Sequence, residues 1–375
     1  MQKETKAIHS GTQFDKKTKG TNSPVYTSTA FGYIDTDVVY PRYFNTWNQQ
    51  AVADKIAALE NTEAALVFSS GMAAISSALF AFLKTGDHII FQNGLYGGTV
   101  NWCLKELEKF GIEFTIADGN TPANFEKALQ KNTKLLYIET PSNPLLKITD
   151  IKAAVNFAKA NNLLTAIDNT FASPVNQNPA DFGIDLVLHS ATKYLGGHSD
   201  ICAGALAASK EIISQVRQTA LNFGGSLDSQ VCYLLERSIK TIFIRVQQQN
   251  KNALQTAEFL NQHTKIAQVF YPGLTSHEGH ETAKKQMHGF GGMLAFALKD
   301  GDIMEFQKNL QLILPAVSLG GVDSIISAPI LTSHKLVPEK ERLAEGITDK
   351  VLRLSVGIEN AEDLIEDLEK ALDSI

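Results

Sequence analysis

Cysteine is scarce in this chain. Cys103, Cys202 and Cys232 are an odd number with no CxxC spacing, so neither a disulfide framework nor a zinc site is suggested. Each sits in apolar or mixed surroundings and is expected to be a small core residue. Long apolar runs are missing as well. Nothing approaches the ~20 residues that a membrane helix needs, and the N-terminal MQKETKAIHSGT has no apolar stretch like that of a signal peptide. A reducing cytoplasm is the expected setting. Net positive charge is absent too: the formal charge is −6, which argues against broad nucleic-acid or anionic-membrane binding but leaves room for a local basic pocket. No GxGxxG opens a first βα unit, which argues against a nicotinamide-dependent oxidoreductase. No GxSxG elbow supports a hydrolase triad of Ser70, Ser190 and His189.

What is present is ordinary globular composition, 44% apolar and 20% charged over 375 residues. That length suffices for a large core and two lobes. Residues 1 to about 50 are rich in Thr, Ser, Asn and Lys and lack sustained helical periodicity. Such an arm is expected to wrap over its own body or a neighbouring subunit. A first helix is predicted from Gln49 through Leu59. Short apolar strands then alternate with helices: Ala65–Phe68, His88–Phe91, Glu113–Ile116, Leu135–Ile138, Leu163–Ile167 and Leu186–Leu188. Met72–Leu83, a stretch after Thr99 through Phe110, and Lys152–Ala160 form helices between them. This alternation predicts an α/β fold, a mostly parallel sheet with helices on both faces. After about Ser226 a long helical stretch, Val231 to Gln262, leads into a smaller C-terminal α/β domain. That domain has strands Met293–Leu298 and Val351–Val356 and a closing acidic helix, Ala361–Leu372. The expected organisation is an arm and first helix over 1–60, a large domain over 61–240 and a C-terminal domain over 241–375.

Three strand ends carry the chemistry. SSGMAAI, Ser69 to Ile75, is a strand-to-helix turn. Its free N–H groups and close-approach Gly71 suit a phosphate, although a tight βα turn with a packing glycine is the commoner use. Asp168 follows a buried apolar run. A carboxylate there needs a partner, either a structural ion pair or cap, or a pyridinium nitrogen that it keeps protonated. Lys193 also follows a buried strand, in His189-Ser190-Ala191-Thr192-Lys193-Tyr194. Most lysines are surface residues. This one follows two hydroxyls and precedes Gly196-Gly197, and a partly desolvated lysine can lose its proton and form an imine. The spacing of Asp168 and Lys193 brings both to one crevice at the strand carboxyl ends.

Together with YPR (Tyr40–Arg42), LYGGT (Leu95–Thr99), ETPSNP (Glu139–Pro144), DNTFASP (Asp168–Pro174), SATKYLGGHSD (Ser190–Asp200), YPGLTSH (Tyr271–His277) and RLSVGIE (Arg353–Glu359), these segments carry a resemblance. Essentially the whole chain resembles the Cys/Met metabolism (trans-sulfuration) family of pyridoxal-phosphate enzymes: cystathionine γ-lyases and γ-synthases, methionine γ-lyases and acylhomoserine sulfhydrylases. The resemblance implies the aminotransferase-like (fold type I) architecture and pyridoxal 5'-phosphate as cofactor. It implies Lys193 as the lysine joined to the cofactor and as proton shuttle, Asp168 on the ring nitrogen, and Tyr96 stacked on the ring. Gly71, Met72, Ser190 and Thr192 would hold the phosphate. Tyr40 and Arg42 would reach the cofactor of a neighbouring subunit, making the active unit a dimer, and the resemblance implies a homotetramer built as a dimer of dimers. Arg353 would clamp the substrate α-carboxylate, assisted by Asn143 and Ser318. No metal, nucleic-acid or membrane partner is implied. His277, His280 and His288 gather around one helix, and the family has similar histidines without a metal.

The expected reaction is C–S cleavage by γ-elimination on L-cystathionine or a related amino acid. The alternatives are γ-replacement, as in cystathionine γ-synthase or O-acylhomoserine sulfhydrylase, methionine γ-lyase activity, or a non-catalytic protein of the same fold. Several positions depart from the family pattern. Asn45-Thr46-Trp47 stands where Asn-Pro-Thr is common, and Ile326–His334 replaces a more usual stretch. Gly98 suits the cystathionine enzymes, whereas Val317 suits methionine γ-lyases and removes an acceptor for a distal amino group. These markers point in opposite directions.

Overall fold

The computed structural model describes residues 1–335, 337 and 339–375, with residue 341 described by its backbone. The large lobe is built on a seven-stranded sheet. Its strands are β1 (Ala64–Phe68), β2 (His88–Phe91), β3 (Glu113–Ile116), β4 (Thr133–Glu139), β5 (Leu164–Asp168), β6 (Leu186–Ser190) and β7 (Gly204–Ala208), in spatial order β1-β7-β6-β5-β4-β2-β3. All neighbours are parallel except β7, which runs antiparallel to both β1 and β6.

Both faces of this sheet are covered, which is why its strands are apolar without alternation. On one face Leu136, Ile138, Ile167 and Val187 pack with α2 (Trp47–Glu60) and α6 (Ile151–Ala160). On the other, Leu135, Tyr137, Ala166 and Leu188 pack with α3 (Gly71–Phe82), α4 (Gly97–Glu106) and α8 (Lys210–Phe223). The helices start where side chains satisfy their free amides. Thr46 and Gln49 form a reciprocal cap on α2, Ser70 accepts from Ala73 N, and Asp150 accepts from Ala153 N.

The remaining large-lobe helices are α1 (Lys3–His9), α5 (Pro122–Ala128), α7 (Ser173–Asn176) and α9 (Ser229–Ile239), and α10 (Ile242–Gln262) runs from this lobe's core into that of the smaller one. Two of these depart from the sequence expectation. The arm begins with a short helix, α1, which buries only Ala7 and so leaves no apolar stripe to read. The expected helical stretch over 231–262 consists of two helices. At the break, Lys240-Thr241, the Ser238 carbonyl accepts from the Thr241 N–H and hydroxyl, each at 3.2 Å, and from the buried Arg245 Nη2 at 2.9 Å.

The smaller lobe has a second sheet of five strands: β8 (Ile266–Phe270), β9 (Met293–Leu298), β10 (Leu314–Pro315), β11 (Ile325–Ser327) and β12 (Val351–Ser355), in order β10-β11-β12-β9-β8. Helices α11 (His280–Gln286), α12 (Ile303–Asn309), α13 (Glu339–Ala344) and α14 (Ala361–Asp373) complete it. Leu260 of α10, Phe296, Leu352 and Leu368 share its core. Among the described residues no helix is long and apolar enough to cross a membrane.

Candidate active site

A cavity of about 520 Å³ opens where the carboxyl ends of β4, β5 and β6 meet the smaller lobe. It is lined by Gly71 and Met72 from the β1–α3 turn, Tyr96 from the turn before α4, and Asn143 from the loop after β4. Asp168 ends β5, Ser190, Thr192 and Lys193 follow β6, and Ser318 and Arg353 come from the smaller lobe. Ten of the predicted site residues are thus brought together. Tyr40 and Arg42 are not. They line a separate recess with Thr29, Ser69, Gly224 and Gly225. There Arg42 Nη1 donates to Leu221 O at 2.6 Å, and its guanidinium lies 5.1 Å from the Tyr43 ring centre.

The Lys193 amine is half-buried and donates to Ser318 Oγ at 2.6 Å. Burial, and next the Arg353 charge, pull its pKa down to about 8, against a counter-effect from Cys202. A fraction of this amine is therefore free base near neutrality. Ser318 has φ +99°, a sparsely populated region for a residue with a side chain. It is held there from two sides, since Arg353 Nη2 also donates to its carbonyl at 3.2 Å.

Asp168 is buried, and its Oδ1 accepts from Thr170 N at 3.0 Å. Burial raises its pKa, and hydrogen bonds from Thr170 oppose this. Among the described residues it makes no ion pair, so an acid lies ready for a cationic or N–H partner. Thr170 also takes the Ser190 N–H on its Oγ1 at 2.8 Å, tying the ends of β5 and β6 together.

At the start of α3, the close approach of Gly71 to Ser190 leaves no room for a larger residue: a Cβ there would lie 2.9 Å from Ser190 Cβ. Thr192 Oγ1 is engaged with the backbone of Ala203, donating to O at 3.2 Å and accepting from N at 3.0 Å. Tyr96 is 43% exposed, its ring free on the cavity side. Gly98 lies against that ring, and a Cβ there would fall 2.4 Å from Tyr96 Cε1. Its significance is therefore steric: it lets the tyrosine settle over the turn.

Arg353 occupies β12 between β9 and β11 and is buried. Nη1 donates to Asn143 Oδ1 at 2.9 Å. Burial lowers its pKa to about 10, a loss partly offset by Tyr194, Tyr96 and Glu139. Among the described residues no carboxylate pairs with it, which leaves a planar donor set for an incoming one.

Cys202, Glu139, Thr332 and Ser333 are among the lining residues that sequence reading did not assign to the site. Cys202, expected in the core, is exposed and lines the cavity, because it lies on the open stretch before β7 and not within the strand. Glu139 ends β4 as Asp168 ends β5, a signal that the motif ETPSNP contained. Thr332 and Ser333 come from a loop whose approach no local pattern announces. His277 and His280 bond to the carbonyls of Leu146 and Pro272.

The pattern of the Cys/Met metabolism PLP-dependent enzymes matches residues 4–373. The chain is 43% identical over 391 residues to an L-methionine γ-lyase of Fusobacterium nucleatum subsp. polymorphum, covering 99% of this chain and 98% of that one. It is also 43% identical over 376 residues to a cystathionine β-lyase of Lactococcus lactis subsp. cremoris, covering 98% of each. A crystal structure of cystathionine γ-lyase from Lactobacillus plantarum complexed with L-serine superposes with a TM-score of 0.96 at 40% identity, over 100% of this chain and 99% of that one.

Proposed function

Because the chain belongs to the Cys/Met metabolism family of pyridoxal-phosphate-dependent enzymes, we propose that it is a carbon–sulfur lyase working at Cγ of a homocysteine-type amino acid, L-cystathionine or a close analogue. The observation that carries this reading is one cavity holding an amine with a lowered pKa, a buried acid without a cation, and a guanidinium without a carboxylate.

The donor set suits the cofactor. The Gly71 and Met72 amides and the Ser190 and Thr192 hydroxyls would hold a phosphate. Asp168 would accept the ring N–H, Tyr96 would cover the ring, and Lys193 Nζ would hold the aldehyde carbon. When bound, pyridoxal phosphate supplies an electron sink that acidifies the Cα and Cβ protons of an amino acid joined to it. Arg353, braced by Asn143, would clamp the α-carboxylate and so turn the Cα–H toward Lys193. Lys193 Nζ, once free, would take the Cα proton, and Ser318 Oγ would keep it aimed. Removal of a Cβ proton by Lys193 would supply the electron pair that breaks the Cγ–S bond, and the leaving sulfur would take up a proton to depart as a thiol. Water completes the turnover to 2-oxobutanoate and ammonia.

In this reading Tyr40 and Arg42 serve the cofactor of a neighbouring chain, and the assembly is a tetramer of two such dimers working in the cytoplasm. Residues 1–60 form the arm, 61–240 the cofactor domain and 241–375 the C-terminal domain.

A second reading, methionine γ-lyase activity, is favoured by the cavity wall. Val317 stands there 70% exposed, and the lining carboxylates are Glu139 and Asp168, both at the floor. No acid among the described lining residues is placed to hold a distal ammonium.

Purified protein assayed with cystathionine, methionine and O-acetyl- or O-succinylhomoserine, each with and without cysteine, separates these readings. Formation of 2-oxobutanoate from cystathionine alone is expected. Pyruvate in its place would mean β-cleavage, and consumption of acylhomoserine only with a thiol would overturn the lyase assignment.

A further inference from the structure

Glu139 is buried, lines the cavity, and has no part in the steps above. It is the register partner of Asp168 on the neighbouring strand. Its Oε2 accepts the backbone N–H of Tyr96 at 2.8 Å. Tyr96 precedes the first turn of α4, and its own side chain does not cap that helix. The cap comes instead from another strand, as a carboxylate placed at the positive end of a ten-residue helix. The strand end bearing it is anchored too, since Gln92 Nε2 donates to Glu139 O at 2.5 Å.

The same turn is pressed from the smaller lobe. A Cβ on Gly97 would lie 2.1 Å from Ser333 O, so the chain there runs directly against the 332–333 loop. The turn bearing Tyr96 is therefore fixed between a carboxylate below and a backbone carbonyl beyond. Burying Glu139 is unfavourable to its charge, and Asp168 adds to this. The Tyr96 and Asn143 N–H groups and Arg353 act the other way.

We propose that Glu139 is a positioning residue, whose carboxyl group pins the turn carrying Tyr96 and so sets the aromatic wall of the site against the Arg353–Asn143 clamp. The inference rests on the reading that Tyr96 covers the cofactor ring, but its first test does not need the cofactor. Amide hydrogen exchange is followed over residues 95–100 of cofactor-free protein in wild type, Glu139→Ala and Glu139→Gln. The alanine variant should speed exchange at Tyr96 about tenfold or more, the factor expected from one lost hydrogen bond, while strand amides of β4 and β5 stay protected. Glutamine keeps an acceptor oxygen at the same reach and should return exchange to within about threefold of wild type.

After reconstitution with pyridoxal phosphate, the alanine variant should lose much of the circular dichroism of the visible cofactor band. Its KM should rise more than its kcat falls, and glutamine should rescue both. A helix cap with no bearing on the site would change amide exchange but neither the circular dichroism nor the balance of KM and kcat once the protein is folded. Where Glu139→Ala does not fold, Glu139→Met, of similar length but without an acceptor, supplies the same contrast with glutamine. Unchanged exchange in the alanine or methionine variant, or a glutamine variant no better than either, overturns the proposal. A wild type that takes up no cofactor overturns the cofactor reading instead, and the exchange result still decides for or against the hold of Glu139 on Tyr96.

Discussion

The cavity around Lys193 and the recess around Arg42 differ in completeness. The cavity gathers an amine, an acid and a guanidinium from both lobes, and each has a partner that orients it: Ser318 for Lys193, Thr170 for Asp168, Asn143 for Arg353. The recess has one cation and two tyrosine rings near it, and its other walls are Thr29, Ser69 and glycine-rich turn. Among the described residues no acid and no amine lines it. A planar guanidinium that gives a single hydrogen bond, to Leu221 O, retains donors for an anion. The difference teaches that the two sets are built for different ends. In the function proposed above, one would carry the reaction, whereas the other is an outlying donor set that we propose reaches the phosphate held by a second copy of the chain.

The sharpest way to break that comparison is complementation. Lys193→Ala should lose activity by on the order of a thousandfold or more and show no yellow band, since the covalent hold is gone. Arg42→Ala should weaken cofactor retention about tenfold, the worth of one charge-assisted hydrogen bond. Unfolded together, refolded as a mixture and assayed with cofactor well below the level that saturates the Arg42→Ala protein, the two variants should regain activity beyond the sum of the separate proteins, up to about a quarter of the wild-type sites for dimers paired at random. Each mixed dimer then has one site with both residues native. Activity no higher than the sum would return Arg42 to a purely local role.

Arg353→Lys tests the cavity side of the same contrast, at a smaller scale. Lysine cannot span Asn143 Oδ1 and the Ser318 carbonyl and still grip a carboxylate with a fork. KM for the amino acid should rise roughly 30- to 100-fold, the cost of losing one or two charge-assisted bonds, with kcat changed less. Steady-state kinetics that leave KM within about threefold of wild type would remove Arg353 from the clamp.

How much of this was legible in the sequence differs by region for physical reasons. The strands β1 to β6 announce themselves because both faces are covered and the runs are apolar throughout. Asp168 and Lys193 stand out because a charge directly after such a run needs a reason. Strand β7 went unread because GALAA is built from small residues with little strand preference. Their smallness serves packing: a Cβ on Gly204 would lie 2.0 Å from Ser70 O, where the strand passes beneath the glycine turn. The break after Ile239 was hidden because the arginine that bonds to Ser238 there, Arg245, is itself fixed by Tyr194 O, 51 residues away, which no local pattern shows. Glu139 obeys the same strand-end rule as Asp168, but its partner is a backbone amide 43 residues away, which no spacing reveals.

The last contrast concerns protons. In the cavity, burial and the Arg353 charge hold the Lys193 amine near pKa 8 in the cofactor-free protein. Below that pH the amine carries a proton and cannot attack an aldehyde; above it the free base is in the majority. The rate at which cofactor-free protein captures pyridoxal phosphate, followed by the growth of the visible band, should therefore fall about tenfold per pH unit on the acid side. It should level off above about pH 9. Arg353→Ala removes a charge that favours the neutral amine, so the midpoint should move upward, toward the ordinary lysine range. Arg42→Ala removes a charge that lines the other recess, so the midpoint should stay while the plateau changes. A midpoint that moved equally in both variants would mean that the two regions share one electrostatic environment, and the separation drawn between them would not hold.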